Sequence, residues 1–149
     1  MDGLAIGLWR SGTRNYDQDG GSGMAIARLG AISLDSDDPA GLGDFYHRLL
    51  ELEIVYKSDD AVVLRGKSVY LTIERIQDHR PPEWPEGIVP KQMHLDLFVN
   101  DLNESEAAAL ALGARKPEYQ PSPDRWRVLL DPSGHPFCLT VPMDPGVSG

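Results

Sequence analysis

The run of local patterns between residues 27 and 76 is written a second time between residues 92 and 142, and this repetition constrains the fold more than any single motif. In the first copy, ARLGAISLDS alternates in the manner of a strand, with Leu29, then Gly30, Ile32 and Leu34, set against Ala31, Ser33 and Asp35. Asp38 then stands before Pro39 as an N-cap, and Leu42, Phe45, Tyr46, Leu49 and Leu50 follow at helical spacing. EIVYK, AVVLR and SVYLTIERI come next, separated by the turn-forming pairs Asp59-Asp60 and Gly66-Lys67. In the second copy HLDLFVN is the strand, Asp101 with Glu104 resembles a capping box, and an alanine- and leucine-rich helix closes at Gly113. Extended pieces are expected at 116–119, 126–130 and 136–141, the last two joined by DPSGH, where Pro132 presets φ and Gly134 is free to take positive φ. A shift of 63 positions lays Ala31 on His94 and Asp38 on Asp101, and a shift of 64 lays Glu74 on Cys138. The expected fold class is therefore α+β, built from two tandem βαβββ modules with mixed β-sheets.

Module one spans 27–76 and module two 92–142, within one domain. Residues 1–26 read as a flexible leader, because glycines recur among polar residues without a period of two or 3.6. Met24 directly precedes the first strand-like run, so the leader reads either as a cloning remnant or as a stretch ahead of a native start at Met24. Residues 143–149 read as a tail. The connector, 77–91, holds four prolines between positions 81 and 90 and must be extended, since proline neither donates to a ladder nor continues a helix. Trp84 in its middle either packs over a core edge or roofs a pocket.

A chain of 149 residues buries about two thirds of its surface without a metal or disulfide to hold it. Its net charge of −9 repels phosphate backbones and anionic membrane faces, so neither nucleic acid nor membrane is an expected partner. Cys138 has no second cysteine to pair with, which suits a reducing cytoplasm. The apolar run LAIGLW follows Asp2, is short, and lacks both a basic leader and a cleavage site, so no signal peptide or membrane span is expected.

Chemistry-bearing motifs are few. No GxSxG elbow, phosphate loop, HExxH or CxxC is present. His47 falls on the exposed side of the first helix, His79 in the connector and His135 in the hairpin turn, where none needs a function. Arg125-Trp126-Arg127 could grip an anionic or planar ligand, or form a solvated strand end.

Two βαβββ units, a DPSGH hairpin before the last strand and a histidine opening the second copy together resemble the vicinal oxygen chelate superfamily. That superfamily holds glyoxalase I, extradiol dioxygenases, epimerases, fosfomycin-modifying enzymes and bleomycin resistance proteins. EWPEGIVPKQMHLDL with GHPFCL is further similar to small actinobacterial glyoxalase-like proteins. The resemblance implies cupped sheets enclosing a ligand, with helices outside. Ser33, Asp35, Thr72, Glu74, His94, Asp96, Phe98, Cys138 and Thr140 would then line the cup, a polar set for an interior surface.

In metal-binding members of the superfamily each copy supplies one ligand from its first strand and one from its last. Here those positions match Ala31, Glu74, His94 and Cys138. Alanine has no donor atom, and Glu74, His94 and Cys138 are a poor set for iron, manganese or nickel, though one zinc accepts. No cofactor is therefore expected, with a divalent metal on those three residues as the alternative. Glu74 and His94 are the candidate catalytic groups, His94 as acid/base, ligand contact or structural histidine. Ser33, Trp84, Asp96, Phe98, Trp126, Arg127 and Cys138 are candidate ligand contacts. The expected function is binding of a small organic molecule by a cytoplasmic homodimer, for sequestration or metal-free catalysis. A metal-dependent lyase, isomerase or dioxygenase is the alternative.

Overall fold

The computed structural model describes residues 26, 27 and 29–142. Apart from Ile26, the leader expected over 1–26 and the tail expected over 143–149 lie outside the described residues. The elements are β1 (Ala31–Ser36), α1 (Pro39–Leu50), β2 (Glu53–Lys57), β3 (Ala61–Arg65), β4 (Tyr70–Arg75), β5 (Leu95–Phe98), α2 (Leu102–Ala111), β6 (Trp126–Leu130) and β7 (Pro136–Thr140).

Both helices start where the repeat places them, for the same reason. The carboxylate of Asp38 accepts from the Gly41 amide at 3.1 Å, and that of Asp101 from the Glu104 amide at 2.8 Å, so each satisfies an otherwise orphaned donor of the first turn. Each following chain segment then builds a sheet. In the first module the order is β1-β4-β3-β2, with β1 parallel to β4 and the other pairs antiparallel. In the second it is β5-β7-β6, with β5 parallel to β7 and β6 antiparallel to it.

The second copy thus has one strand fewer than expected. The stretch at 116–119 contributes only the isolated bridge Arg115–Leu130 beside it. Pro117, Pro121 and Pro123 have no amide hydrogen to offer a ladder. The Gln120 side chain stands in for the missing strand: its amide donates to the Val128 carbonyl at 2.8 Å and accepts from the Val128 amide at 2.9 Å.

One apolar core serves both modules. Leu42, Phe45 and Tyr46 of α1 bury against Val62, Leu64, Leu71 and Ile73, and the same cluster continues into Leu129, Phe137 and Leu139. Gly43 lets α1 approach β3 closely, since a Cβ there would lie 2.7 Å from Val62 Cγ1. Phe45 meets Phe137 across the module boundary with ring centroids 6.0 Å apart. The DPSGH turn carries the polar part of that junction. Ser36 Oγ and Ser133 Oγ lie 2.7 Å apart, His135 Nε2 is 2.6 Å from the Asp35 carbonyl, and His79 Nε2 is 3.0 Å from the Ser133 carbonyl. His79 and His135, expected to need no function, thus hold the hairpin to the connector and to β1. Among the described residues no helix is long and apolar enough to cross a membrane.

Candidate functional site

The ladders decide which residues of the two copies correspond. Ser33 pairs with Thr72 in the first module and Asp96 with Cys138 in the second. Since Asp96 lies 63 positions after Ser33, Cys138 occupies the place of Thr72, and Thr140 occupies that of Glu74. The alignment of Glu74 with Cys138 is therefore corrected. A repeat read by residue similarity slips along a strand without penalty as long as the faces are kept, whereas backbone hydrogen bonds admit one register.

On the face away from the helices, the first module carries a hydroxyl pair, Ser33 Oγ and Thr72 Oγ1, 2.5 Å apart. The second carries the chemistry. His94 Nε2 lies 3.4 Å from Asp96 Oδ1, and the ligating atoms of His94, Asp96 and Cys138 all lie within 4.8 Å of one another. Glu74 is not in this group: it stands on the other sheet, between Asp35 of β1 and Ala61 of β3. The carboxylate that stands beside the His94 ring is that of Asp96.

Lys91, which the sequence reading passed over, completes the cluster. Its ammonium is 3.5 Å from His94 Nδ1 and 5.7 Å from the centroid of the Trp84 ring. An ammonium only donates, so Nδ1 must accept and the imidazole proton sits on Nε2, facing the Asp96 carboxylate. Trp84 is held in turn by its Nε1–H, which donates to the Tyr119 carbonyl at 3.2 Å. A recess of about 30 Å³ lies between Trp84, Lys91, His94, Val128, Pro136 and Cys138. Of the two readings of Trp84, the wall of a recess is the one the geometry favours. Nothing in the sequence announced this meeting, since the proline-rich connector has no period that reports its contacts.

Burial, and then the adjacent Asp96 carboxylate, push the Cys138 thiol up to about 11, so it stays protonated at neutral pH. Further along the same face, Phe98 pairs with Thr140 and Thr140 with Trp126, which sets the two aromatic side chains on either side of β7. Phe98 is 73% exposed and Trp126 36%. Arg127 is not on this face. It pairs with the core residue Leu139, and its guanidinium turns to α2, donating to Glu106 Oε2 at 2.9 Å and Asn103 Oδ1 at 2.7 Å. Its expected role as a ligand contact is corrected, because strand alternation gives neighbours Trp126 and Arg127 opposite faces.

These residues do not fit a metal shared between the two copies. Ala31 has no donor, and Ser33 and Thr72 are tied to each other.

A family model described as "Glyoxalase-like domain" matches residues 31–140. No curated protein sequence matches the chain. Among solved structures, the chain resembles a glyoxalase/bleomycin resistance protein/dioxygenase family enzyme from Burkholderia phytofirmans at 15% identity and a TM-score of 0.60, over 78% of this chain and 100% of that one. A lactoylglutathione lyase from Agrobacterium tumefaciens matches at 19% identity and 0.54, over 80% and 96%. A fosfomycin resistance protein from Listeria monocytogenes, complexed with Mn(II) and a dihydroxypropylphosphonic acid, matches at 17% and 0.59, over 80% and 95%. At these identities the likeness is one of fold. With the family model covering every strand and both helices, the chain belongs to the glyoxalase-like domain family of the vicinal oxygen chelate superfamily.

Proposed function

We propose that the protein binds a small organic molecule on the inner face of its second module, and does so without a metal bridging the two copies. The observation that carries this reading is the asymmetry between equivalent positions: a closed hydroxyl pair in the first module, against His94, Asp96 and Cys138 beside a tryptophan-walled recess in the second. His94 is the group suited to hydrogen-bond a ligand or move a proton, with Asp96 orienting its ring. Sequestration needs only the binding; catalysis would add proton transfer at His94.

A recess of about 30 Å³ holds little more than a water, so the body of any ligand lies outside it, over the exposed Phe98 and Trp126. A second copy covering that face would enclose the ligand, which fits a homodimer working in the cytoplasm. Sedimentation of the wild type against Phe98→Glu tests this arrangement, and a monomeric wild type, or a dimer unaffected by the substitution, would sink it.

A metal-dependent lyase, isomerase or dioxygenase is the second reading, and it draws on the same three donors. The close approach of His94, Asp96 and Cys138 suits zinc chemically, once the thiol proton and Lys91 have been displaced. Elemental analysis of protein purified without chelators or affinity-column metal decides between the readings. Metal at one equivalent, lost in His94→Ala, would overturn the first. Metal-free protein whose saturable binding of small aromatic molecules is lost in Trp84→Ala would overturn the second.

A further inference from the structure

Lys91 stands apart from the other described cations by its place in the wall of the recess. The chain holds 14 lysines and arginines against 23 aspartates and glutamates, so a cation has acids in plenty to pair with. Arg65, Arg75, Lys116 and Arg127 each do so. Lys91 makes no such ion pair among the described residues. Its ammonium faces the Nδ1 edge of the His94 ring and the indole of Trp84, at the wall of the recess that His94 and Cys138 also line. Asp96 does not neutralise it directly, because that carboxylate sits against the opposite nitrogen of the His94 ring and beside the Cys138 thiol. A half-buried charge without a counter-ion is costly to keep, and it becomes favourable when a ligand brings the missing anion.

We infer that the ligand of this site is a small aromatic carboxylate, and that Lys91 is the residue that selects for its charge. This rests on the reading that the inner face of the second module binds a small molecule, and it names the class. The recess has room for a carboxylate oxygen and not for a ring, and the Lys91 ammonium in its wall is placed to meet that oxygen. The ring then lies flat against Trp84 or over the Phe98 and Trp126 side chains, where its apolar surface leaves water. Nothing in the set asks the carboxylate to displace a metal or form a covalent bond.

Benzoate, with benzamide as its uncharged isostere, tests the assignment by tryptophan fluorescence and calorimetry on the full chain. The expected result is saturable binding of benzoate, roughly tenfold or more tighter than benzamide and weakening as salt rises. Lys91→Met should bring benzoate down to the level of benzamide in the same variant, and Lys91→Arg should restore the preference. Thermal unfolding of each variant confirms that the fold is kept. Equal affinity for the two probes, absence of benzoate binding, or a preference that survives Lys91→Met would overturn the inference. Benzamide binding that depends on Trp84 would, in the first and last of these cases, leave the broader reading of the site standing.

Discussion

The hydroxyl of Tyr46 donates to Asp131 Oδ2 at 2.8 Å, joining α1 of the first module to the hairpin of the second across 85 residues of sequence. Both side chains are buried, Tyr46 at 1% and Asp131 at 0% exposure. Asp131 Oδ1 accepts from the amides of Ser133 and His135, each at 3.0 Å, so the same carboxylate shapes the DPSGH turn and fastens it to the other module. Burial raises the Tyr46 phenol well above its ordinary value, and the Asp131 carboxylate adds to that, so the phenol remains a donor throughout the physiological range. Tyr46→Phe leaves Asp131 Oδ2 without its donor and should destabilise the fold by about 1–3 kcal/mol in urea denaturation. A variant as stable as the wild type would mean that the contact does not join the modules.

Gly134 sits at the tip of that hairpin for two separable reasons. Its φ is +89°, and a Cβ there would come 2.4 Å from Pro81 Cβ, whereas Gly113 at φ +112° has nothing nearer than Pro132 Cγ at 3.8 Å. Gly113→Ala should therefore cost only the backbone strain, about 1 kcal/mol, and Gly134→Ala clearly more, because the connector must also move. Equal costs in thermal unfolding would show that Pro81 yields freely.

Cys138 is expected to be a slow nucleophile. With its thiol pushed up to about 11, alkylation by iodoacetamide in the native protein should be slow at pH 7 and climb steadily toward that value. Asp96→Asn removes a carboxylate that holds the proton in place, so it should move the reactivity profile to lower pH. A profile that Asp96→Asn leaves in place would disprove the coupling.

Glu106 supports the second helix through charge. Burial alone would raise its carboxyl, yet hydrogen bonds from Lys116 and Arg127 outweigh that and hold it below the ordinary value of 4.5. A carboxyl lowered by folding adds stability that is present above its unfolded value and is lost as pH falls through the folded one. Glu106→Gln should thus cost about 1–2 kcal/mol at neutral pH and progressively less as pH falls below 4.5, as read from urea midpoints across the acid range. A cost independent of pH would assign the effect to packing.

What the chain's own residues determined is local. The helix starts at Asp38 and Asp101, the four strands of the first module and the repeat itself were legible because capping, alternation and turn chemistry act within a few neighbours. Resemblance of short motifs in a fixed order carried the family. Tertiary structure decided the rest. Cys138 aligns with Thr72 because ladder register depends on loop lengths, and the connection from α2 to β6 differs from its counterpart. Arg127 turns outward to α2 because WRVLL is apolar at positions of both parities, so only the neighbouring strand fixes which face is buried. The meeting of Trp84, Lys91 and His94 is made by the path of a proline-rich connector, where no period in sequence reports which side chains come together in space.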